Sequence, residues 1–198
     1  MNKKWLIPGI IVGIVVIIGL MFMGSYNSLV GQREQVTAKF GNLQSQYQRR
    51  ADLIPNLVST VKGAANFEQD TLMQVTEARA KATNVTINPE NATTEQLQQY
   101  QSAQGELSQA LSRLLAVTEN YPELKATQNF LDLQNQLEGT ENRIAVARND
   151  YNEIARPYNT KLQVFPTNIV ANMFGFEKKP YFEADKGAEV APSVDFSE

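Results

Sequence analysis

Residues 147–160 read ARNDYNEIARPYNT, with one Tyr-Asn pair at Tyr151-Asn152 and a second at Tyr158-Asn159, seven residues further on. Seven residues are about two turns of α-helix, so the two tyrosines share a face. Stepping by sevens from Phe130 gives Phe130, Leu137, Ile144, Tyr151, Tyr158 and Phe165, and a companion series gives Leu133, Thr140, Ala147 and Ile154. Two interleaved, mostly apolar series form the seam of a helix that packs on other helices, in coiled-coil fashion. The repeat is therefore read as packing before chemistry. The rings are buried along one stripe, and the amides of Asn152 and Asn159 flank it and hydrogen-bond across to a neighbouring helix, fixing its register. Pro157 is expected to kink this helix near its end.

The same period recurs upstream. Val36, Leu43, Arg50, Leu57 and Ala64 form one series and Arg33, Phe40, Tyr47, Ile54 and Val61 the other. The ring of Pro55 clashes with the preceding turn, which predicts a bend or a restart around Leu53 and Ile54, after which the pattern continues through Leu72 and Val75 to about Ala82. Residues 83–93, TNVTINPENAT, carry turn formers without helical period and read as a loop. A further helix begins near Thr94, capped by Thr93 or Thr94, with Leu97, Tyr100, Gln104, Leu107, Leu111, Leu114 and Thr118 on one face. Tyr121-Pro122 stops it, because a residue before proline is pushed out of the helical region.

Beyond the long C-terminal helix, TNIVANMFGF at 167–176 reads as a short helix with Thr167 at its cap and Gly175 at its end. It is apolar enough either to close one end of the bundle as a lid or to touch lipid or a partner subunit. Residues 177–198 are charged and rich in small residues and turn formers, the composition of an extended or disordered tail, with Tyr181, Phe182 and Phe196 able to dock.

The N-terminus is of another kind. Leu6 to Met23, LIPGIIVGIVVIIGLMFM, is eighteen residues without a charge, and a helix of that length rises about 27 Å against a hydrocarbon core of roughly 30 Å. Trp5 and Tyr26 stand at its two ends, where aromatic side chains favour the headgroup boundary, and Pro8 falls in the first turn. A cleaved signal peptide would share the basic start at Lys3 and Lys4. Cleavage wants small residues at two recognition positions, and the candidates here pair Gly24 with Phe22 or Ser25 with Met23, so the segment is read as an uncleaved, single-pass anchor. Lys3 and Lys4 against Arg33 alone place the N-terminus in the cytoplasm, by the positive-inside rule, and the helical domain across the membrane.

Composition bounds the chemistry. The 198 residues contain no cysteine and no histidine, which removes disulfides, thiol nucleophiles, Cys or His zinc sites and imidazole acid-base catalysis. The net charge is −3 and the 18 basic residues are scattered, unlike the footprint of a nucleic-acid binder. Glu138 and Glu141, with Asp52, Glu68, Glu77 and Glu119, are the carboxylates that could meet inside a bundle, yet a di-iron bundle site expects Glu-x-x-His and a glycosidase pair needs a cleft. The other charged residues near the seams, Arg49, Arg79, Lys125, Arg143 and Arg148 with Asp52, Glu119 and Glu141, read as solvated faces or surface ion pairs. Arg50 is the exception: it falls on the apolar series, where a guanidinium needs Asp52, Glu119 or Glu141, or a partner protein, to offset its desolvation. No catalytic, cofactor-binding or metal-binding residue is assigned, and the chain is read as no enzyme and as needing no cofactor.

The fold class is thus all-α: a basic segment at 1–5, a transmembrane helix at 6–25, an antiparallel bundle of long, kinked helices at 26–176 and a tail at 177–198. Taken in order, Tyr26-Asn27, Leu29-Val30, RRADLIPNLVSTVKG at 49–63, FEQDTLMQVTEARA at 67–80, the stretch from Arg113 to Asn159 and FPTNIVANMFGF at 165–176, followed by PYFEA, resemble the LemA family over nearly the whole chain from Tyr26 to about Ala184. That resemblance implies a membrane-anchored antiparallel helical bundle in the bacterial cell envelope. Its members are discussed beside TPM-domain proteins and membrane metalloproteases, which implies envelope quality control or membrane organisation, and it carries over no catalytic residue. Two functions follow. One is a noncatalytic scaffold or adaptor whose helical faces bind envelope proteins while Leu6 to Met23 holds them at the bilayer; the other is self-assembly into a ring or lattice that shapes the membrane, with 165–176 as a contact.

Overall fold

The computed structural model describes residues 3–63 and 67–183, with side chains from Ile7 onward. It is all-helical among those residues: α1 Lys3–Lys62, α2 Gln69–Asn84, α3 Thr94–Thr118, α4 Pro122–Lys125, α5 Gln128–Lys161 and α6 Thr167–Met173. Ala64 and the tail from 184, Phe196 included, lie outside the described residues, as does the side chain of Trp5.

One helix of 60 residues, about 90 Å long, carries both the apolar run and the first limb of the bundle. Partner numbers along it fall as its own rise: Lys39 pairs with Asp150 and Arg50 with Glu141. The α1–α5 pair is therefore antiparallel. The α2–α3 pair is as well, since Lys81 meets Glu106 and Arg113 meets Gln74. Most of both stripes is buried, with Val36, Phe40, Leu43, Tyr47, Arg50, Ile54, Leu57 and Val61 on α1 and Phe130, Leu137, Thr140, Ile144, Tyr151 and Tyr158 on α5, while Arg33, Leu133, Ala147 and Ile154 are half-buried. On α3 every expected inward residue from Leu97 to Thr118 is buried. That helix starts at a complete capping box: the Gln96 N–H donates to Thr93 Oγ1 at 3.2 Å and the Thr93 N–H to Gln96 Oε1 at 3.0 Å.

Four local expectations are corrected. Of the bend or restart expected at Pro55 it is the restart that is corrected: α1 runs through the proline, and Ile54, Leu57 and Val61 keep the same buried face on both sides of it. The break comes at Gly63 instead, and the stripe through Leu72 and Val75 belongs to a separate helix running back antiparallel. A reversal leaves the spacing of apolar residues unchanged, so periodicity alone continues across it. Phe165 leaves its stripe and is 75% exposed, since α5 ends at Lys161. Pro166, not Thr167, precedes the first turn of α6, and Thr167 is buried inside that turn. Gly175, with φ +68°, closes α6 as expected: the Phe176 N–H reaches back to the Ala171 carbonyl at 2.9 Å, the long bond of a left-handed helix stop.

Among the described residues the core is in two pieces. Leu29, Phe40, Tyr47, Tyr100, Ile144, Tyr151, Tyr158 and Phe182 belong to the piece nearer the apolar run. Ile54, Leu57, Val75, Leu107, Leu114, Phe130 and Leu137 belong to the far one. On each of α1, α3 and α5 the boundary between the pieces falls within one or two turns, and it is there that the polar residues sit.

Candidate functional site

Two arrangements stand out from ordinary bundle packing: a polar layer between the two apolar pieces, and an extended strap held on the outside of α5.

The layer is centred on Arg50, 1% exposed. Its Nη1 donates to Glu141 Oε1 at 2.7 Å and to Ser108 Oγ at 2.7 Å, and its Nη2 donates to Gln104 Oε1 at 2.6 Å and to the Gln104 carbonyl at 3.2 Å. Gln104 Nε2 donates in turn to the Ala82 carbonyl at 3.2 Å. One guanidinium thus ties α1 to α3 and α5, and through Gln104 to the end of α2. A buried charge is tolerated only when paired and hydrogen-bonded, which the layer provides at both Nη atoms, while Nε is buried without a hydrogen-bond partner. Glu141 is the counter-ion among the three carboxylates expected for Arg50. Its side chain is 42% exposed, so the layer opens to solvent on that side. There α3 and α5 part over a cleft of about 710 Å³ with Tyr47 and Arg50 beneath and Gln98, Gln101, Glu106 and Gln109 on one wall.

Of the carboxylates expected to meet Glu141 inside the bundle, Asp52, Glu68, Glu77, Glu119 and Glu138, none lines this cleft. Asp52 accepts from Gln48 Nε2 at 2.7 Å, Glu68 from Thr71 Oγ1 at 3.2 Å, Glu138 from Gln134 Nε2 at 3.2 Å, and Glu119 pairs with Lys125 at 2.5 Å. Among the described residues no three groups capable of holding a metal come together. Arg79 is more than a solvated face: its Nε donates to the Ala51 carbonyl at 2.7 Å, bracing α2 on α1.

The strap explains the repeat at 151–159, and it corrects the reading of the two asparagines. They do not reach a neighbouring helix. Asn159 Nδ2 donates to the Lys179 carbonyl at 2.7 Å while the Lys179 N–H donates to Asn159 Oδ1 at 2.8 Å. Asn152 treats Phe182 in the same way, at 2.8 and 3.0 Å. The tyrosines follow suit: Tyr158 Oη donates to the Glu177 carbonyl at 3.1 Å and Tyr151 Oη to the Pro180 carbonyl at 3.0 Å. In both pairs seven helical residues match three strap residues. The lengths agree, since seven residues of helix rise about 10.5 Å and three of extended chain span about 10 Å. Residues 177–183 are therefore extended but bound, with Phe182 buried against Phe40 and Tyr151 at ring separations of 6.2 and 5.4 Å. Tyr181 remains 43% exposed.

Lys179, which no sequence signal marked, is buried on this strap. Its Nζ donates to the Pro89 carbonyl at 3.1 Å and to that of Glu90, so it also pins the 85–93 loop. Burial, helped by Arg33, lowers its pKa, while Glu90 and Glu177 act the other way. Burial raises those of Tyr151 and Tyr158. At the strap's end Arg148 Nη2 and Gln101 Nε2 both donate to the Glu183 carbonyl, at 2.6 and 2.9 Å, so the strap leads from α6 to the mouth of the cleft.

Comparison with known proteins agrees with the resemblance drawn from the motifs. The sequence model described as LemA family matches residues 39–196. The chain is 28% identical to "Magnetosome protein MamQ 2" of Paramagnetospirillum magneticum, over 93% of this chain and 73% of that one. It is 27% identical to "Protein LemA" of Metamycoplasma hominis, over 90% and 77%, and 27% identical to "Magnetosome protein MamQ" of Magnetospirillum gryphiswaldense, over 85% and 68%.

Proposed function

This chain belongs to the LemA family, and on that premise we propose that it is a noncatalytic scaffold of the bacterial cell envelope, which holds a protein partner at a fixed height above the bilayer. The observation that carries this reading is the continuity of α1: one helix, long and apolar enough at its start to cross a membrane, becomes the floor of the cleft without a joint. A rod fixed in lipid at one end transmits the position of the membrane to whatever binds along it. The cleft suits a protein surface better than a small substrate. Its wall of glutamines and a glutamate offers hydrogen bonds to a backbone or to polar side chains, and its single deep cation is already neutralised. The N-terminus lies in the cytoplasm and the bundle across the membrane, with TPM-domain proteins and membrane metalloproteases as the partner classes to test first.

The test is site-specific photocrosslinking of the full chain in native membranes, with the reactive group at Gln98 or Gln109 on the cleft wall and at Leu131 as an outside control. The scaffold reading expects a discrete adduct with another protein from the cleft positions and none from Leu131. Adducts with further copies of this chain alone would replace it by self-assembly, and no adduct from the cleft would remove the cleft as the binding surface. Protease digestion of the tail in intact vesicles of known sidedness reads the orientation in the same preparation.

A further inference from the structure

We infer that α6 and the two residues ahead of its cis-linked entry, Val164 and Phe165, form a second membrane contact, lying in the headgroup layer beside the point where α1 leaves the bilayer. The inference rests on the reading of Leu6 to Met23 as a membrane anchor.

The position comes from α1. If the charge-free run fills the hydrocarbon core, its end at Met23 marks the headgroup boundary, within one turn of Tyr26. The short helix is at that level. The ring of Phe174 is 4.8 Å from that of Tyr26 and the ring of Phe176 is 5.7 Å from it. Val170 and Ala171 are buried in one cluster with Leu29, and Phe22 packs against the same cluster from inside the apolar run. Lys161, at the end of α5, donates to Ser28 at the same level of α1.

The chemistry comes from what α6 leaves uncovered. It buries Thr167, Val170 and Ala171, and turns Ile169 and Met173, four residues apart, away from them. Met173 is 64% exposed, Phe174 56%, Phe165 75% and Val164 52%. This is a dense group of large apolar side chains for the end of a bundle, where scattered single ones would be unremarkable. It adjoins, through Phe22 and Tyr26, the exposed side chains between Ile7 and Met23 that the anchor reading places in lipid. A lipid surface needs no shaped complement, only apolar side chains at the right depth, and α6 presents them there. The consequence is orientational. A single spanning helix can swivel and tilt, whereas a second foothold to one side fixes which way the α3–α5 cleft faces.

The chain has no cysteine, so single labels can be introduced cleanly into the full-length protein. Met173→Cys, Ile14→Cys and Val146→Cys, all at exposed positions, are labelled with an environment-sensitive fluorophore and reconstituted in phosphatidylcholine–phosphatidylglycerol vesicles. A quencher carried on the lipid tails is expected to extinguish the labels at 14 and 173 and to spare 146, with aqueous iodide doing the reverse. If 14 is quenched from the lipid while 173 is as open to iodide as 146, the second contact is wrong and the anchor stands. If 173 is shielded from both quenchers, another copy of the chain covers α6, and the lipid contact is wrong. If 14 itself escapes the lipid quencher, the anchor reading fails and takes this inference with it.

Discussion

Replacing Asn159 by Ala removes two hydrogen bonds at once and leaves the Lys179 N–H and carbonyl without their partner. Lys179 is only 4% exposed, so water replaces the lost amide poorly. Two bonds at about 1 kcal/mol each, plus part of the desolvation penalty of the orphaned groups, give a loss of about 2–4 kcal/mol. Asn152→Ala removes the same number of bonds to Phe182 from a half-buried position. Asn152 is itself less buried than Asn159, so water replaces its amide more readily, and about 1–2 kcal/mol is expected. Both residues hold one strap, so the double variant should lose less than the sum of the two single losses. Asn159→Asp keeps the acceptor for the Lys179 N–H but turns a second acceptor on the Lys179 carbonyl, and it should be at least as harmful as alanine. The assay is urea unfolding of the full chain in detergent micelles, together with amide hydrogen exchange over residues 177–183. A change below about 0.5 kcal/mol for Asn159→Ala, the size expected of an ordinary surface substitution, would refute the clamp. So would an unaltered exchange rate at the Lys179 amide.

Other predictions separate structural from chemical roles. Glu141→Gln weakens the counter-charge on a buried guanidinium and should lower stability by about 1–2 kcal/mol, discounted for the exposure of Glu141, whereas Glu138→Gln should stay within about 0.5 kcal/mol; a Glu141→Gln protein of unchanged melting temperature that had lost its cellular phenotype would instead argue for carboxylate chemistry. Arg50→Met removes one partner alone, leaving Gln104 Oε1 without its donor and Glu141 without its counter-ion, and should cost about 2–4 kcal/mol, read by calorimetry. Thr93→Ala removes half of the capping box and should cost about 1 kcal/mol, visible as faster exchange in the first turn of α3. Stability should fall as pH rises above about 10: the unfolded chain ionises its tyrosines from 10.0 upward while Tyr100, Tyr151 and Tyr158, raised by burial, stay protonated in the fold. Lys179, lowered by burial, has the opposite slope up to its unfolded value of 10.5, so the decline should steepen beyond that point, as a titration of tyrosinate absorbance alongside circular dichroism would detect.

The sequence by itself determined the helices, their buried faces and the apolar start, since each of these is written in the local spacing of side chains along one segment. Phe130, Leu137, Ile144, Tyr151 and Tyr158 could be placed inside without knowing what they touch. Arg50 could be marked as needing a carboxylate, because a charge on an apolar stripe has no other resolution. What such a stripe cannot carry is direction or partner. The reversal at Gly63 leaves the period intact, and Gln104, visible only as a polar member of its own stripe, becomes part of the Arg50 layer once α3 lies across α1. The strap is the clearest case: nothing in residues 177–183 has a period, and their ordering comes from backbone groups meeting Asn152 and Asn159 some twenty to thirty residues away. Hydrogen bonds to a backbone depend on where the chain passes and hardly at all on which side chains it carries, so only the tertiary structure could reveal them.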